Sequence, residues 1–379
     1  MLGRRLNGEM VLLGRKRRRK TQTELAEETG IPQAAISRIE NGTREELTND
    51  EIQRVAKALR FPPAFFYEHD LVYRKPLSLH AAAFRKKASV AVKDTDAIVA
   101  LGNHYVIQLR RLLDSVELQS EYELLQFEIV SQKDGAGEHA RAIASASDAA
   151  AAVRASWQVG DGPLHSLTRY VEATGVIVIK ADFGGADIDG FTLRPVGLRP
   201  VIFLNNARAP DRMRFSLAHE FGHAVLHPFP HEGMESEANE FATALLMPRQ
   251  SIMPDLKRGL SIPALGRLKL KWQVSMASII YRAKTLGVIG GDAQVQLYMK
   301  MAPYRAREPA EFDISPEVTK LIGDLIRTHT DELGYPLNEL ATATTTLPEE
   351  FAEMHGLQLI LSRAERPKLR LVVSSDQKK

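Results

Sequence analysis

The chain of 379 residues contains no cysteine. That excludes disulfides, thiolate-ligated zinc and a cysteine nucleophile, so any metal must be held by His, Asp or Glu. Long apolar runs are also missing: nothing approaches the ~18 residues that span a bilayer. Residues 10–13 are too short for the core of a signal peptide. The expectation is a soluble, cytoplasmic protein with no membrane partner. An excess of one charge is absent as well. The 50 basic and 47 acidic residues leave a net +3, so the whole molecule is not a polycation. At about 150 residues per domain, the length suggests two or three domains. A hydrophobic fraction of 44% and a charged fraction of 26% fit folded cores rather than disorder.

The charge that is present is unevenly placed. Residues 15–20 read Arg-Lys-Arg-Arg-Arg-Lys. Alone, such a run is a solvated helix face; the residues after it change that reading. Thr21 and Glu24 have the spacing of a capping box, and Leu25 and Ala26 suit the inner face of a short helix. Gly30 stands where a helix ends in a left-handed residue. Pro32 suits the first turn of a second helix, whose buried stripe is Ile36 and Ile39. This is a helix-turn-helix pattern. With its ending Ser37-Arg38-Ile39-Glu40-Asn41-Gly42 and the later 50–59 helix, it closely resembles the lambda-repressor-like (XRE) family over about residues 15–66. In such folds the second helix enters the major groove of double-stranded DNA. Its outward residues would be Gln33, Ala34, Ser37 and Arg38, with Gln reading adenine and Arg guanine. Gln22 and the basic run, including Arg15, Arg17 and Arg18, are expected to hold phosphates. The alternative is a helix-turn-helix that contacts only protein.

Residues 71–135 look mainly helical, with apolar residues at helical spacing over 94–113. Residues 131–137 form a polar break, and the Ala-rich stretch 140–155 reads as a helix. Three short strands come next, at 176–179, 191–193 and 201–204. Pro200 suggests that the last is an edge strand, able to pair with an extended substrate. The expected division is 1–70, a helix-turn-helix domain; 71–137, a helical connector; 138–300, a metal-binding domain; and 301–379, a helical C-terminal region. The fold class is mainly α with a small β-sheet, an all-α domain preceding an α+β one.

A helix starting at Pro210 carries His219-Glu220-Phe221-Gly222-His223. Histidines four apart share a helix face and can hold one zinc ion. Glu220 is turned about 100° away and is placed to act as a base rather than a ligand. A buried pair of helix histidines is the bland alternative, and a third ligand would lower its weight. His227 and His231 continue the spacing, but Pro228 and Pro230 should break the helix. Leu226 and Phe229 stand where a metzincin needs Gly and His, which excludes that class. Glu235, sharing a face with Asn239 on a following helix, would complete a His₂Glu set. Glu237 is a fallback. Asn239 is placed to orient a ligand histidine.

The stretches 214–224 and 235–248 resemble the ImmA/IrrE metallopeptidases, and the resemblance covers roughly residues 138–290. It implies His219, His223 and the Glu thirteen residues before Pro248, which is Glu235, as ligands of one zinc ion. It further implies peptide hydrolysis, with Glu220 as general base. Tyr281 is a candidate oxyanion donor, although a Tyr on an amphipathic helix more often packs.

Residues 316–333 read as an amphipathic helix, and 339–351 faintly echoes the helix-turn-helix spacing. The region is expected to be a helical cap or a dimerisation element, and 369–373 a final strand. The resemblance points to a DNA-binding regulator with a zinc endopeptidase domain, cleaving a repressor-type protein in phage-element or stress control. The chain is expected to act as a homodimer. The rival reading keeps the DNA-binding domain and makes the peptidase fold a catalytically silent sensor. A nuclease is disfavoured, since a single His₂Glu set lacks the carboxylate-rich two-metal arrangement.

Overall fold

A computed structural model describes residues 5–44, 46–69, 91–130, 141–304 and 307–357. Its first helices follow local rules. The helix α1 spans Gly8–Arg17, α2 Gln22–Thr29, α3 Gln33–Glu40 and α4 Asn49–Leu59. Thr21 and Glu24 form the expected reciprocal cap on α2, and Gly30 closes that helix at φ 67°. Thr48 and Glu51 make a second box on α4. Leu25, Ile31, Ile36 and Ile39 are buried in one core with Val55, Leu59, Phe61 and Phe65.

That core does not end with the first domain. The long helix α5, Val92–Leu113, packs against α1. Its His104 and Gln108 are fully buried. Gln108 donates to Thr346 at 2.9 Å, Tyr105 donates to the Met354 carbonyl at 2.7 Å, and His355 bonds to Gln108 at 2.9 Å. These bonds bring in the C-terminal helices α15, Leu337–Ala343, and α16, Pro348–His355. Within the segment expected to be a connector, α5 is therefore a central core helix. Among described residues, 71–135 is helical only over α5; it then gives way to loop and the strand β1, Phe127–Ile129. The strand β2, Arg141–Ile143, pairs with β1 in parallel, so the Ala-rich helix α6 begins only at Ala146 and ends at Ser156.

The helix α7, Leu167–Ala173, leads into a three-stranded sheet. Its strands are β3, Ile177–Ala181; β4, Gly190–Leu193; and β5, Val201–Asn205. The order is β3-β5-β4, with β5 parallel to β3 and antiparallel to β4. The edge-strand expectation for 200–205 is wrong: β5 is central and hydrogen-bonded on both sides. Pro200 lies just before the ladder, where its carbonyl accepts from Ile177 at 3.1 Å and no donor is lost. Side chains alternate between the two faces. Ile177, Ile179, Phe191, Leu193, Val201 and Phe203 face the N-terminal core. Val178, Ile202 and Leu204 face the second core. By the same alternation, Gly190 and Thr192, paired with Leu204 and Ile202, turn toward the second core.

The second core holds α8, Pro210–Leu226, and α9, Met234–Leu246, which pack on each other and on α6. Behind them lie α10, Arg249–Leu256; α11, Ile262–Trp272; α12, Met276–Thr285; and α13, Gly291–Met301. The helix expected at 316–333 is shorter: α14 covers Leu321–Arg327 and runs into a π turn, Thr328–Glu332. The strand expected at 369–373 lies outside the described residues.

Candidate metal centre

Pro210 opens α8, and Asp211 in its first turn accepts from the buried Lys269 ammonium at 2.6 Å. The helix ends at Leu226, before Pro228 and Pro230. At its other end Arg194 donates to the carbonyls of His223 at 2.9 Å and Ala224 at 2.6 Å, satisfying last-turn acceptors. Gly222 permits the close approach of α9. A Cβ there would stand 3.0 Å from the Phe241 ring and 3.4 Å from the Ala238 Cα.

This packing brings three expected residues together. His219 Nε2 lies 3.1 Å from His223 Nε2 and 3.4 Å from a Glu235 carboxylate oxygen. His223 Nε2 is 3.7 Å from the other Glu235 oxygen. Ligands of a tetrahedral zinc ion with bonds of about 2.1 Å stand about 3.4 Å apart, so the residues fit that group. Each histidine is also held from behind. His219 Nδ1 donates to Asn239 Oδ1 at 3.1 Å, which leaves Nε2 with its lone pair toward the cluster. His223 Nδ1 lies 2.8 Å from His227 Nδ1. His223 is fully buried whereas Glu235 is 53% exposed, so the cluster opens to solvent on the Glu235 side.

The surroundings are anionic. Burial alone would pull the His219 pKa down. The bond to Glu235, the charges of Glu220 and Glu235 and the Asn239 bond outweigh it, and the pKa is raised. A site that stabilises an extra proton on an imidazole also favours a bound cation.

Glu220 is buried beside the sheet. Thr192 donates to its Oε2 at 2.8 Å, which fixes the carboxylate. Gly190 makes room: a Cβ there would sit 3.3 Å from Glu220 Cγ and 2.9 Å from the Phe203 carbonyl. A cavity of about 1030 Å³ runs beside α8, lined by Arg212, Phe215 and Ser216 together with Ser278, Tyr298 and Tyr304. Phe215 lies one turn before His219 on the same helix face. Tyr281 is exposed and lines a different cavity, with Ser236, Glu240 and Arg282.

Sequence reasoning missed Thr192, Gly190 and Arg194, and it set His227 aside. Thr192 left a trace, a lone hydroxyl between Phe191 and Leu193 in an apolar strand.

The helix-turn-helix surface gives a mixed result. Gln33, Ala34 and Arg38 are exposed on α3, and Ser37 is partly exposed. Gln33 donates to Gln22 at 2.7 Å, and Gln22 donates to Glu40 at 2.8 Å. The basic run, however, is turned inward. Arg15 is buried and grips Glu40 through two bonds, of 2.6 and 2.7 Å. Arg17 and Arg18 pair with the buried Glu350. Arg18 also donates to the Leu59 carbonyl at 2.6 Å. Lys16 pairs with Asp96 and Lys20 with Glu28. Arg19 donates to the carbonyls of Phe183 and Gly184 at 2.7 and 2.8 Å. The expectation of free phosphate contacts from Arg15, Arg17 and Arg18 is therefore corrected. Arg17 and Arg18 join the first domain to α16, Lys16 joins it to α5 and Arg19 to the β3–β4 loop, while Arg15 braces the domain internally.

Residues 171–284 match the peptidase M78 family, described as the IrrE N-terminal-like domain. Residues 14–66 match the helix-turn-helix family. A curated relative, the radiation response metalloprotease IrrE of Deinococcus radiodurans, is 37% identical over 97 residues. That match covers 21% of this chain and 30% of the relative. The IrrE N-terminal-like segment holds the sheet, α8 and α9, and with them His219, Glu220, His223 and Glu235.

Proposed function

We propose that this protein is a zinc-dependent endopeptidase coupled to a DNA-binding helix-turn-helix domain. It would act in the cytoplasm on a repressor-type protein, in phage-element or stress control. The observation that carries the reading is the His219–His223–Glu235 cluster at zinc-ligand spacing, with the Glu220 carboxylate held by Thr192 beside it. Two imidazoles and one carboxylate suit a single zinc ion and leave a fourth position open. A zinc ion bound there supplies Lewis acidity that makes water nucleophilic near neutral pH. Glu220 takes a proton from the attacking water and returns it to the leaving amine. Asn239 keeps the His219 tautomer fixed throughout. The cavity beside Phe215 and Ser216 would receive the polypeptide next to the scissile bond.

On the DNA side, Gln33, Ala34, Ser37 and Arg38 would meet base edges, with Gln33 steadied by Gln22. A homodimer would present two such helices to paired half-sites. The relative's name ties a similar segment to a radiation response, which supports a role in stress control.

The test is Glu220→Gln in the full-length protein. It should keep its metal and its DNA affinity while cleavage of a repressor substrate falls by about 10²–10⁴-fold. Cleavage at the parental rate would overturn the assignment. If the variant instead regulates its promoter as the parent does, the peptidase fold is a silent sensor in the cell.

A further inference from the structure

Beside the first cluster stands a second group of the same composition, His227, His231 and Glu237. His227 Nε2 lies 3.0 Å from a Glu237 carboxylate oxygen, and His231 Nε2 lies 3.5 Å from the same oxygen. These spacings match the first cluster and the roughly 3.4 Å expected between zinc ligands. The prolines at 228 and 230 end the helix, yet the loop they shape carries His231 back toward His227, with ring centroids 5.1 Å apart. His231 Nδ1 donates to the Glu232 carbonyl at 2.9 Å, which leaves its Nε2 lone pair toward Glu237. His227 is buried, Glu237 partly exposed and His231 45% exposed, so an ion can enter from solvent.

The two groups meet at His223 and His227, whose Nδ1 atoms lie 2.8 Å apart. His227 thus stands behind the first group and turns its Nε2 toward Glu237 in the second.

We propose that His227, His231 and Glu237 form a second divalent-metal site beside the first.

Full-length protein stripped of metal and titrated with Zn²⁺ tests this by counting bound zinc per chain. The parent should bind two equivalents. His231→Ala, an exposed change that leaves the core intact, should bind one, at the first group. His219→Ala should bind one, at the second group. A parent that saturates at one equivalent, lost in His219→Ala and kept in His231→Ala, overturns the second site and leaves the first centre standing. Two equivalents retained in His231→Ala also overturn it.

Discussion

The candidate metal centre and the α3 surface solve opposite problems. At the centre each side chain is held from behind: Asn239 behind His219, His227 behind His223, Thr192 behind Glu220. On α3 the outward residues Gln33, Ala34 and Arg38 stand in solvent, and the neighbouring cations are committed to internal carboxylates. A reaction centre gains from groups fixed before substrate arrives, since reorganisation then costs little at the moment of reaction. A reading surface gains from donors and acceptors left for the base edges. The inward basic run adds a lesson about charge: consecutive cations can serve cohesion, within a domain as at Arg15 and Lys20 or between regions as at Lys16, Arg18 and Arg19.

Removing a fixed ligand should have the largest effect. His223→Ala takes away a fully buried imidazole common to the cluster and its supporting chain. The variant should lose the first zinc equivalent and its cleavage together, read by elemental analysis and a peptide assay, while DNA binding persists. Loss of DNA binding in step would erase the contrast between the two regions.

Next in size is Glu40→Gln, which strands the buried Arg15 guanidinium. Breaking one partner of a buried pair costs about 3–5 kcal/mol. Denaturant unfolding should show a loss of that order, whereas a phosphate-facing Arg15 would leave stability almost unchanged.

Acid should weaken the same N-terminal core. Burial lowers the His355 pKa from 6.5 to about 4, and burial with nearby arginines holds His104 well below its usual range. Both groups bind protons in the unfolded chain before they do so in the folded one. Their contribution is complete above about pH 6.5 and is lost as pH falls toward 4. At one pKa unit per ~1.4 kcal/mol, His355 alone accounts for roughly 2 kcal/mol at pH 5. Replacing His355 by Gln should flatten the stability profile between pH 7 and 5; an unchanged slope would refute this source.

A smaller effect is expected from Thr192→Val, which removes the bond to Glu220 without a large change in volume. Loss of one such bond, about 1 kcal/mol, should lower kcat several-fold at constant metal content. The smallest prediction is a null one. Arg17→Ala should leave the salt dependence of DNA binding unchanged, whereas a phosphate-contacting cation would lower its slope by about one unit.

The legible parts of the molecule were those written in local spacing. The Thr21–Glu24 cap, Gly30 and the histidines four apart on α8 involve neighbours within one or two turns. The rest depends on distant partners. Arg15 meets Glu40, Lys16 meets Asp96 and Arg18 meets Glu350. No pattern within residues 15–20 reveals those carboxylates. The position of β5 depends on which strands flank it, so Pro200 misled about its edge. Thr192 reaches Glu220 only because β4 alternates and packs under α8. His227 and His231 were set aside because prolines break the helix between them, which they do; the loop then restores the proximity.

The most direct test of the central claim is a crystal of the zinc-loaded protein measured at the zinc absorption edge. The predicted result is a strong anomalous peak about 2.0–2.2 Å from His219 Nε2, His223 Nε2 and a Glu235 oxygen. No peak there, or a strongest peak between His227, His231 and Glu237, would contradict it.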